Sequence, residues 1–199
     1  MNVPILLTGS RLVLAPLFAL FFLHAYDQDL SIPWLWAAAV MMALLELSDM
    51  LDGKIARAQG TVTEFGKIFD PICDSLSRQT IFLTYMSAGI IPIWVFLVFL
   101  YRDGLMMFLR VMSAIDGTVM AAKKSGKIKA VFQAITSALV LLIVLLQAYR
   151  IAWVPETIWG FHPGFWLILL VAIFTFISMF DYYIPNRDIL ARRMEAKRE

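Results

Sequence analysis

Residues 49–74 read DMLDGKIARAQGTVTEFGKIFDPICD. Aspartates, glycines and one arginine recur there as Asp49-x2-Asp52-Gly53-x2-Ala56-Arg57-x8-Gly66-x3-Asp70-x3-Asp74. Apolar stretches flank this motif on both sides, and carboxylates beside a membrane are costly unless a partner compensates their charge. The stretch therefore indicates a helical membrane protein with a charged site between its second and third helices.

The composition places the whole chain in a membrane. Of its 199 residues, 61% are hydrophobic and 16% are charged, whereas a soluble domain is about half apolar and a quarter charged. A helix needs about 20 apolar residues to cross a bilayer. Six segments meet this need: 5–24, 33–51, 70–90, 91–112, 130–149 and 161–183. We therefore expect an all-α integral membrane protein with six transmembrane helices in a single domain, residues 1–199.

Basic residues predict the orientation of these helices. Lysines and arginines cluster in 52–69, in 113–129 and in the tail after 183, whereas the opposite loops 24–32, 88–92 and 150–160 hold only Arg150. The positive-inside rule places such clusters in the cytoplasm. Both termini and the 49–74 site are thus expected at the cytoplasmic face of the cytoplasmic membrane. The tryptophans lie mostly near the opposite helix ends, which indicates an interfacial belt and no nucleic-acid surface.

The aspartate spacing predicts a metal site. Asp49 and Asp52 are three residues apart, and Asp70 and Asp74 are four apart, so each pair shares a helix face. Carboxylate oxygens suit Mg²⁺, Mn²⁺ or Ca²⁺, and two such ions can clamp a phosphate. The alternative is that the aspartates only form ion pairs with nearby basic residues, namely Lys54, Arg57, Lys67 and Arg78.

The other motif residues suit a phosphate-bearing ligand. Gly53 lacks a side chain beside the carboxylates, so a ligand can approach the backbone there, and Gly66 can do the same one turn before Asp70. Arg57 follows Asp52 by five residues and can bind a phosphate through two hydrogen bonds. Metal ions, an arginine and bare backbone together suit a diphosphate substrate.

All eight motif positions resemble the signature of the CDP-alcohol phosphotransferases. The resemblance implies a six-helix membrane enzyme, commonly a homodimer, that transfers a group from a CDP-linked donor to an alcohol and releases CMP. It implies that Asp74 is the catalytic general base, and that Gly53, Arg57 and Gly66 contact the CDP moiety. It also implies two Mg²⁺ or Mn²⁺ ions held by Asp49, Asp52, Asp70 and Asp74.

Within that family the chain is most similar to the phosphatidylglycerophosphate synthases. The similar segments are Asn2-Val3-Pro4 with Thr8 and Arg11, Arg102-Asp103 with Arg110 and Gly117, Gly126-Lys127-Ile128-Lys129, and Phe174 to Asp188. This likeness implies CDP-diacylglycerol as the donor, glycerol 3-phosphate as the acceptor and direct displacement as the mechanism. Membrane lipid would then supply one substrate.

A cationic pocket for the acceptor's phosphate is expected from the basic residues of the second half. Arg102 and Arg110 are eight residues apart, slightly over two helical turns, and so lie near one face. Lys127 and Lys129 follow at the start of the next helix. The alternative for the lysines is ordinary positive-inside charge.

Two departures from the synthase pattern leave the acceptor open. Ser75 stands where those synthases have a lysine beside the catalytic aspartate, with Arg78 one turn on as a possible replacement, and Asp103 stands where they have glutamate. Inositol phosphate, serine and choline are therefore alternative acceptors. A cation transporter using the same aspartates is the alternative from another class. It is disfavoured because no inverted repeat is visible and Arg57 would repel the cation.

Overall fold

The computed structural model describes the backbone of residues 3–59, 64–115 and 124–195, and the side chains of 5–51, 66, 69–112 and 128–179. Six helices make up the described chain. They are α1 (Val3–Asp27), α2 (Ile32–Gln59), α3 (Glu64–Ser87), α4 (Ile93–Ile115), α5 (Lys124–Ala148) and α6 (Pro163–Glu195). The predicted all-α architecture is confirmed, and most of each apolar segment lies within one helix.

The helices extend beyond several of the predicted apolar segments at the charged end of the bundle. α2 continues eight residues past 51, α3 begins at Glu64, and α6 continues to Glu195. The added turns are rich in alanine, lysine, arginine and glutamate, which favour helix wherever water or headgroups can solvate them. Asp52, Gly53 and Arg57 therefore lie on a helix. The sequence also predicts a turn that holds Gly60 between the two aspartate pairs, and this residue lies outside the described part of the chain.

An aromatic and aliphatic core joins the helices. α1 packs along α2 and α3, α4 packs on α3 and α6, and α5 packs on α6 and α2. Tyr85 of α3 lies at the centre, with its ring edge-on to Phe18 and Phe22 of α1. Its buried hydroxyl donates a hydrogen bond of 2.7 Å to the carbonyl of Ser137 on α5. This contact fixes α3 against α5, which both contribute residues to the site described below.

Short connections close the opposite end of the bundle. Helix α3 ends at Ser87, and Gly89 adopts a φ of 73° while Ile90 N–H donates to the carbonyl of Tyr85 at 2.9 Å. This is a glycine-terminated helix end that L residues with a side chain adopt at a cost. Trp159 and Gly160 form the tight turn of a small hairpin, with Ile158 bridged to Phe161.

Among the residues that the structure describes, three helical segments are long and apolar enough to cross a membrane: Ile5–Asp27, Ile32–Leu51 and Ile128–Ala148. A shorter apolar stretch, Pro163–Met179, lies within α6. Helices α3 and α4 carry buried charges along their length, among them Arg78, Arg102 and Asp103, which lowers their apolar character. By length and composition, three of the six expected crossings are therefore supported in the described chain, and the number six stays a prediction.

Candidate active site

Arg11 of α1 joins the two halves of the aspartate motif. Its side chain is only 2% exposed. Nη1 donates to Oδ1 of Asp49 at 2.8 Å, and Nη2 donates to Oδ1 of Asp70 at 2.5 Å. Asp49 belongs to α2 and Asp70 to α3, so one guanidinium draws carboxylates from two helices to the same point. A planar fork of donors suits this bidentate task.

Asp74 completes the cluster on α3 and has Arg78 as its partner. Arg78 Nε donates to Oδ1 of Asp74 at 2.9 Å. The same oxygen lies 3.8 Å from Nη1 of Arg11, and Arg78 Nη2 lies 3.8 Å from Oδ2 of Asp49. The structure therefore gathers three of the four predicted aspartates around two guanidiniums.

Two residues of this cluster were not assigned to the site from the sequence. In the sequence, Arg11 is only one of the residues shared with the similar synthases, although an arginine inside an apolar helix is itself a sign of a buried partner. Glu46 lies three residues before Asp49 on α2 and interacts electrostatically with Arg78, Asp74 and Arg11. Its spacing from Asp49 places it on the same helix face, and this spacing is the sequence signal by which Glu46 could have been found.

For Asp52 and for the predicted donor-binding residues of α2, the structure describes the position of the backbone only. Asp52, Gly53 and Arg57 continue α2 beyond Asp49, and their side chains lie outside the described set. Gly66 is half-buried on α3, one turn before Asp70. The helical spacing predicted for the motif is thereby confirmed, whereas the roles of these residues stay predictions.

A second charged cluster lies between α4 and α5. Asp103 Oδ1 accepts a hydrogen bond from Arg102 Nη1 at 3.0 Å and a close one from Lys129 Nζ. All three residues are buried. Arg102 and Lys129, both predicted to bind an acceptor phosphate, thus share one carboxylate. Arg110 is half-buried and forms no ion pair with any residue whose side chain is described, and the side chain of Lys127 lies outside that set.

Consecutive residues of α3 connect the two clusters. Arg78, besides binding Asp74, donates from Nη1 to the carbonyl of Ala130 on α5 at 3.1 Å. Gln79 donates from Nε2 to Oδ2 of Asp103 at 3.2 Å. The carboxylates of α2 and α3 and the cations of α4 and α5 therefore belong to one connected polar region inside the bundle.

Comparison with known proteins gives this region its chemical setting. Residues 1–175 match the model of the family described as CDP-alcohol phosphatidyltransferase, and this range contains the whole aspartate motif and both clusters. The chain belongs to the CDP-alcohol phosphatidyltransferase family. The family predicted from the eight-position motif is confirmed.

Similar proteins carry two functional names. A CDP-diacylglycerol–glycerol-3-phosphate 3-phosphatidyltransferase of Bacillus subtilis is 30% identical over 197 residues, 95% of this chain and 97% of its own length. One of the same name from Treponema pallidum is 34% identical over 116 residues, 58% of this chain and 54% of its own. A CMP-forming cardiolipin synthase of Streptomyces coelicolor is 31% identical over 108 residues, 54% of this chain and 49% of its own.

The CDP-alcohol phosphatidyltransferases generally depend on divalent metal ions, so the fit of this site to such ions matters. Among the described side chains, no three carboxyl, imidazole or thiol groups are arranged to hold a metal, because Arg11 and Arg78 lie between the carboxylates. The chemistry of the possible metal ligands does fit. Four described acids lie in the cluster beside two guanidiniums, which leaves a surplus of two negative charges; the acids are Glu46, Asp49, Asp70 and Asp74. Hard oxygen ligands with surplus negative charge suit Mg²⁺ or Mn²⁺.

Proposed function

We propose that the protein transfers the phosphatidyl group of CDP-diacylglycerol to glycerol 3-phosphate, forming phosphatidylglycerophosphate and CMP. The observation that carries this proposal is the convergence of Asp49, Asp70 and Asp74 on Arg11 in a chain of this family. The name of the Bacillus subtilis relative, which matches over nearly the full length of both chains, supports glycerol 3-phosphate as the acceptor.

The protein is proposed to work within the cytoplasmic membrane as a single domain, residues 1–199, and as a homodimer. All six helices cross the bilayer in this proposal. The distribution of lysine and arginine supports placing both termini and the active site on the cytoplasmic side. CDP-diacylglycerol then reaches the site from the bilayer, with its acyl chains among lipid and its diphosphate at the aspartates.

The donor would be held by the motif residues of α2 and α3. Gly53 and Gly66 leave room for the CDP moiety against the helix backbone, and Arg57 binds the diphosphate. Two Mg²⁺ or Mn²⁺ ions are proposed to be held by Asp49, Asp52, Asp70 and Asp74. Bound there, the ions would neutralise diphosphate charge.

Asp74 is proposed to act as the general base. Its carboxylate takes the proton of the acceptor hydroxyl, whose oxygen forms a bond to the phosphorus attached to diacylglycerol. The bond from that phosphorus to the bridging oxygen breaks, and CMP leaves with the electron pair. Arg57 balances the charge that develops on the leaving phosphate. Arg78 donates a hydrogen bond to the Asp74 carboxylate at 2.9 Å and so helps to hold it in place.

The acceptor's phosphate is proposed to bind beside α4 and α5. Among the described side chains of this cluster, Arg102 and Lys129 together exceed the charge of Asp103 by one. Arg110 and Lys127 lie on the same two helices and are also basic. A buried excess of positive charge favours an anionic acceptor such as glycerol 3-phosphate over serine or choline. Asp103 holds two of these cations in place, so Arg110 and Lys127 are the ones proposed to contact phosphate most directly.

A second acceptor is suggested by the cardiolipin synthase among the relatives. Phosphatidylglycerol also offers a primary hydroxyl and a phosphate, but this phosphate is a diester with one charge instead of two. With this second acceptor, the donor substrate, the roles of the aspartates and the displacement mechanism would be the same. Inositol phosphate, serine and choline are the further alternatives.

The decisive experiment is CMP release by purified protein in detergent with CDP-diacylglycerol, Mg²⁺ or Mn²⁺, and one acceptor at a time. Release with glycerol 3-phosphate and not with the other acceptors would support the full proposal. Release only with phosphatidylglycerol, inositol phosphate, serine or choline would overturn the acceptor and keep the chemistry. Metal flux into proteoliposomes without CMP release would favour the transporter alternative.

A further inference from the structure

Arg78 has contacts with three helices through one planar group. Nε donates to Asp74 of α3 at 2.9 Å, Nη1 donates to the backbone carbonyl of Ala130 of α5 at 3.1 Å, and Nη2 lies 3.8 Å from Asp49 of α2. The residue is 8% exposed. A buried arginine held by two hydrogen bonds and one longer ion pair has little freedom to adopt another rotamer.

We propose that Arg78 is the positioning residue of Asp74, and that it sets the place of the Asp74 carboxylate relative to α5. The inference rests on the proposed function, in which Asp74 accepts the proton. Arg78 itself contacts no reacting atom in this proposal. It acts by fixing the orientation of the group that does.

The geometry at Asp74 shows how this positioning works. Arg78 Nε and the more distant Arg11 Nη1 both approach Oδ1. The Asp74 side chain is about one-third exposed, so without these contacts its carboxylate would rotate between several orientations. Anchoring Oδ1 presents Oδ2 in one direction as the oxygen that meets the acceptor hydroxyl. Preorganised placement of a base is a recognised source of rate, and a displacement of about 1 Å can cost about 100-fold.

The bond to Ala130 ties this orientation to the acceptor side of the site. Ala130 follows Lys129 directly, and Lys129 is held by Asp103. Gln79, next to Arg78, also bonds Asp103. A backbone carbonyl of α5 cannot move without the helix, so the Arg78 contact holds the base at a set distance from the helix that carries Lys127 and Lys129. Lysine lacks the planar fork needed to make all three contacts at once.

The test compares Arg78→Lys and Arg78→Met with the wild type, using whichever acceptor the wild type accepts. Thr84→Val is the matched control, because Thr84 is buried on the same helix and its hydroxyl bonds only the carbonyl of Thr80 within the described chain. Steady-state kcat and the KM of each substrate are measured on protein shown to be folded by its unfolding temperature. We expect Arg78→Met to lower kcat about 100-fold, with both KM values within about threefold, and Arg78→Lys to recover part of the loss.

The inference is overturned if kcat of folded Arg78→Met lies within about threefold of wild type, or if the donor KM alone rises, which would make Arg78 a donor ligand. Equal losses in Arg78→Lys and Arg78→Met would overturn it as well. If Arg78→Met does not fold, the inference is decided by Arg78→Lys and Arg78→Gln, for which a kcat loss with unchanged KM is expected. A wild type that releases no CMP with any acceptor refutes the proposed function instead, which separates the two failures.

Discussion

The buried guanidinium of Arg11 lies 2.5 Å from the carboxylate of Asp70, 59 residues along the chain. Asp70 is about half exposed, whereas Arg11 is almost fully enclosed by the bundle. The arginine is thus the fixed member of the pair, and the carboxylate is the member that substrate or solvent can reach. Helix α1, which contains none of the motif aspartates, thereby determines where the carboxylates of α2 and α3 meet.

Replacing Arg11 with methionine is expected to destabilise the protein and to separate α2 from α3 at this end. Removing one partner of a buried ion pair lowers the free energy of unfolding by about 3–5 kcal/mol. Because Asp49 and Asp70 are partly exposed, solvent screens their charge, and we expect a smaller loss of about 1–3 kcal/mol here. Denaturant titration in mixed micelles measures the free energy of unfolding. Leu12→Ala, an exposed change on the same helix, is the control, and an effect no larger than that of the control would contradict the expectation.

Changing Asp74 to asparagine is expected to lower kcat by about 10²–10⁴-fold, the usual contribution of a general base. The amide preserves size and a hydrogen bond to Arg78 but cannot take the acceptor's proton. CMP release in saturating donor and acceptor measures the effect. Thr80→Val should retain activity, because Thr80 lies six residues past Asp74 on α3 and, within the described chain, its hydroxyl bonds only the Leu76 carbonyl of its own helix. Near-wild-type turnover by Asp74→Asn would remove Asp74 from the role of base.

Arg110→Ala is expected to raise the KM of a phosphate-bearing acceptor about 10- to 100-fold, as for the loss of one charge-assisted hydrogen bond. The KM of CDP-diacylglycerol should stay within about twofold, because the donor binds at the aspartate motif. Initial rates at fixed saturating donor give both values. Arg150→Ala, on an exposed loop at the far end of the bundle, is the matched arginine control. Unchanged acceptor kinetics would favour an uncharged alcohol.

Asp103→Asn should leave the buried ammonium of Lys129 without the carboxylate of Asp103, and we expect a loss of about 3–5 kcal/mol of unfolding free energy. Removing the uncompensated cation as well, in Asp103→Asn with Lys129→Met, should recover part of that loss. The free energies of unfolding of wild type, both single variants and the double variant form a cycle that isolates the pair. Additive effects would show that Asp103 does not hold Lys129.

The stability of the far-side loop is expected to fall as the pH drops from about 6.5 to about 4. Burial lowers the pKa of His162 from 6.5 to about 4, so in this interval the unfolded chain binds a proton that the folded chain does not. In the fold, Nδ1 accepts from the N–H of Gly164 at 3.0 Å while Nε2 bonds Gln147 Oε1 at 2.9 Å, and a protonated Nδ1 cannot accept.

The difference in unfolding temperature between wild type and His162→Gln, recorded from pH 7.5 to 4.5, measures this effect. The two proteins should converge as the pH falls, because the variant has no such proton to bind. His24→Gln, which changes the other histidine, is the control. A difference independent of pH would refute the role of His162.

Much of the fold follows from local pattern. Runs of apolar residues of bilayer length predict the helices, and the i, i+3 and i, i+4 spacing of the aspartates places each pair on one helix face whatever the packing. The helical ends were less predictable, since the charged turns of α2 and α6 continue as helix once the apolar run has ended. The eight motif positions were enough to predict the family, because that combination of residue types and spacings is rare.

Tertiary structure alone decided which charges on different helices meet. Nothing in the local sequence connects Arg11 to Asp70, or Lys129 to Asp103, because those pairs lie on different helices and depend on the rotation of each helix within the bundle. Periodicity specifies the face on which a residue lies, but the angle at which two faces come together is set by the packing of Tyr85, Phe18 and their neighbours. That packing turned separate helical charges into one connected site.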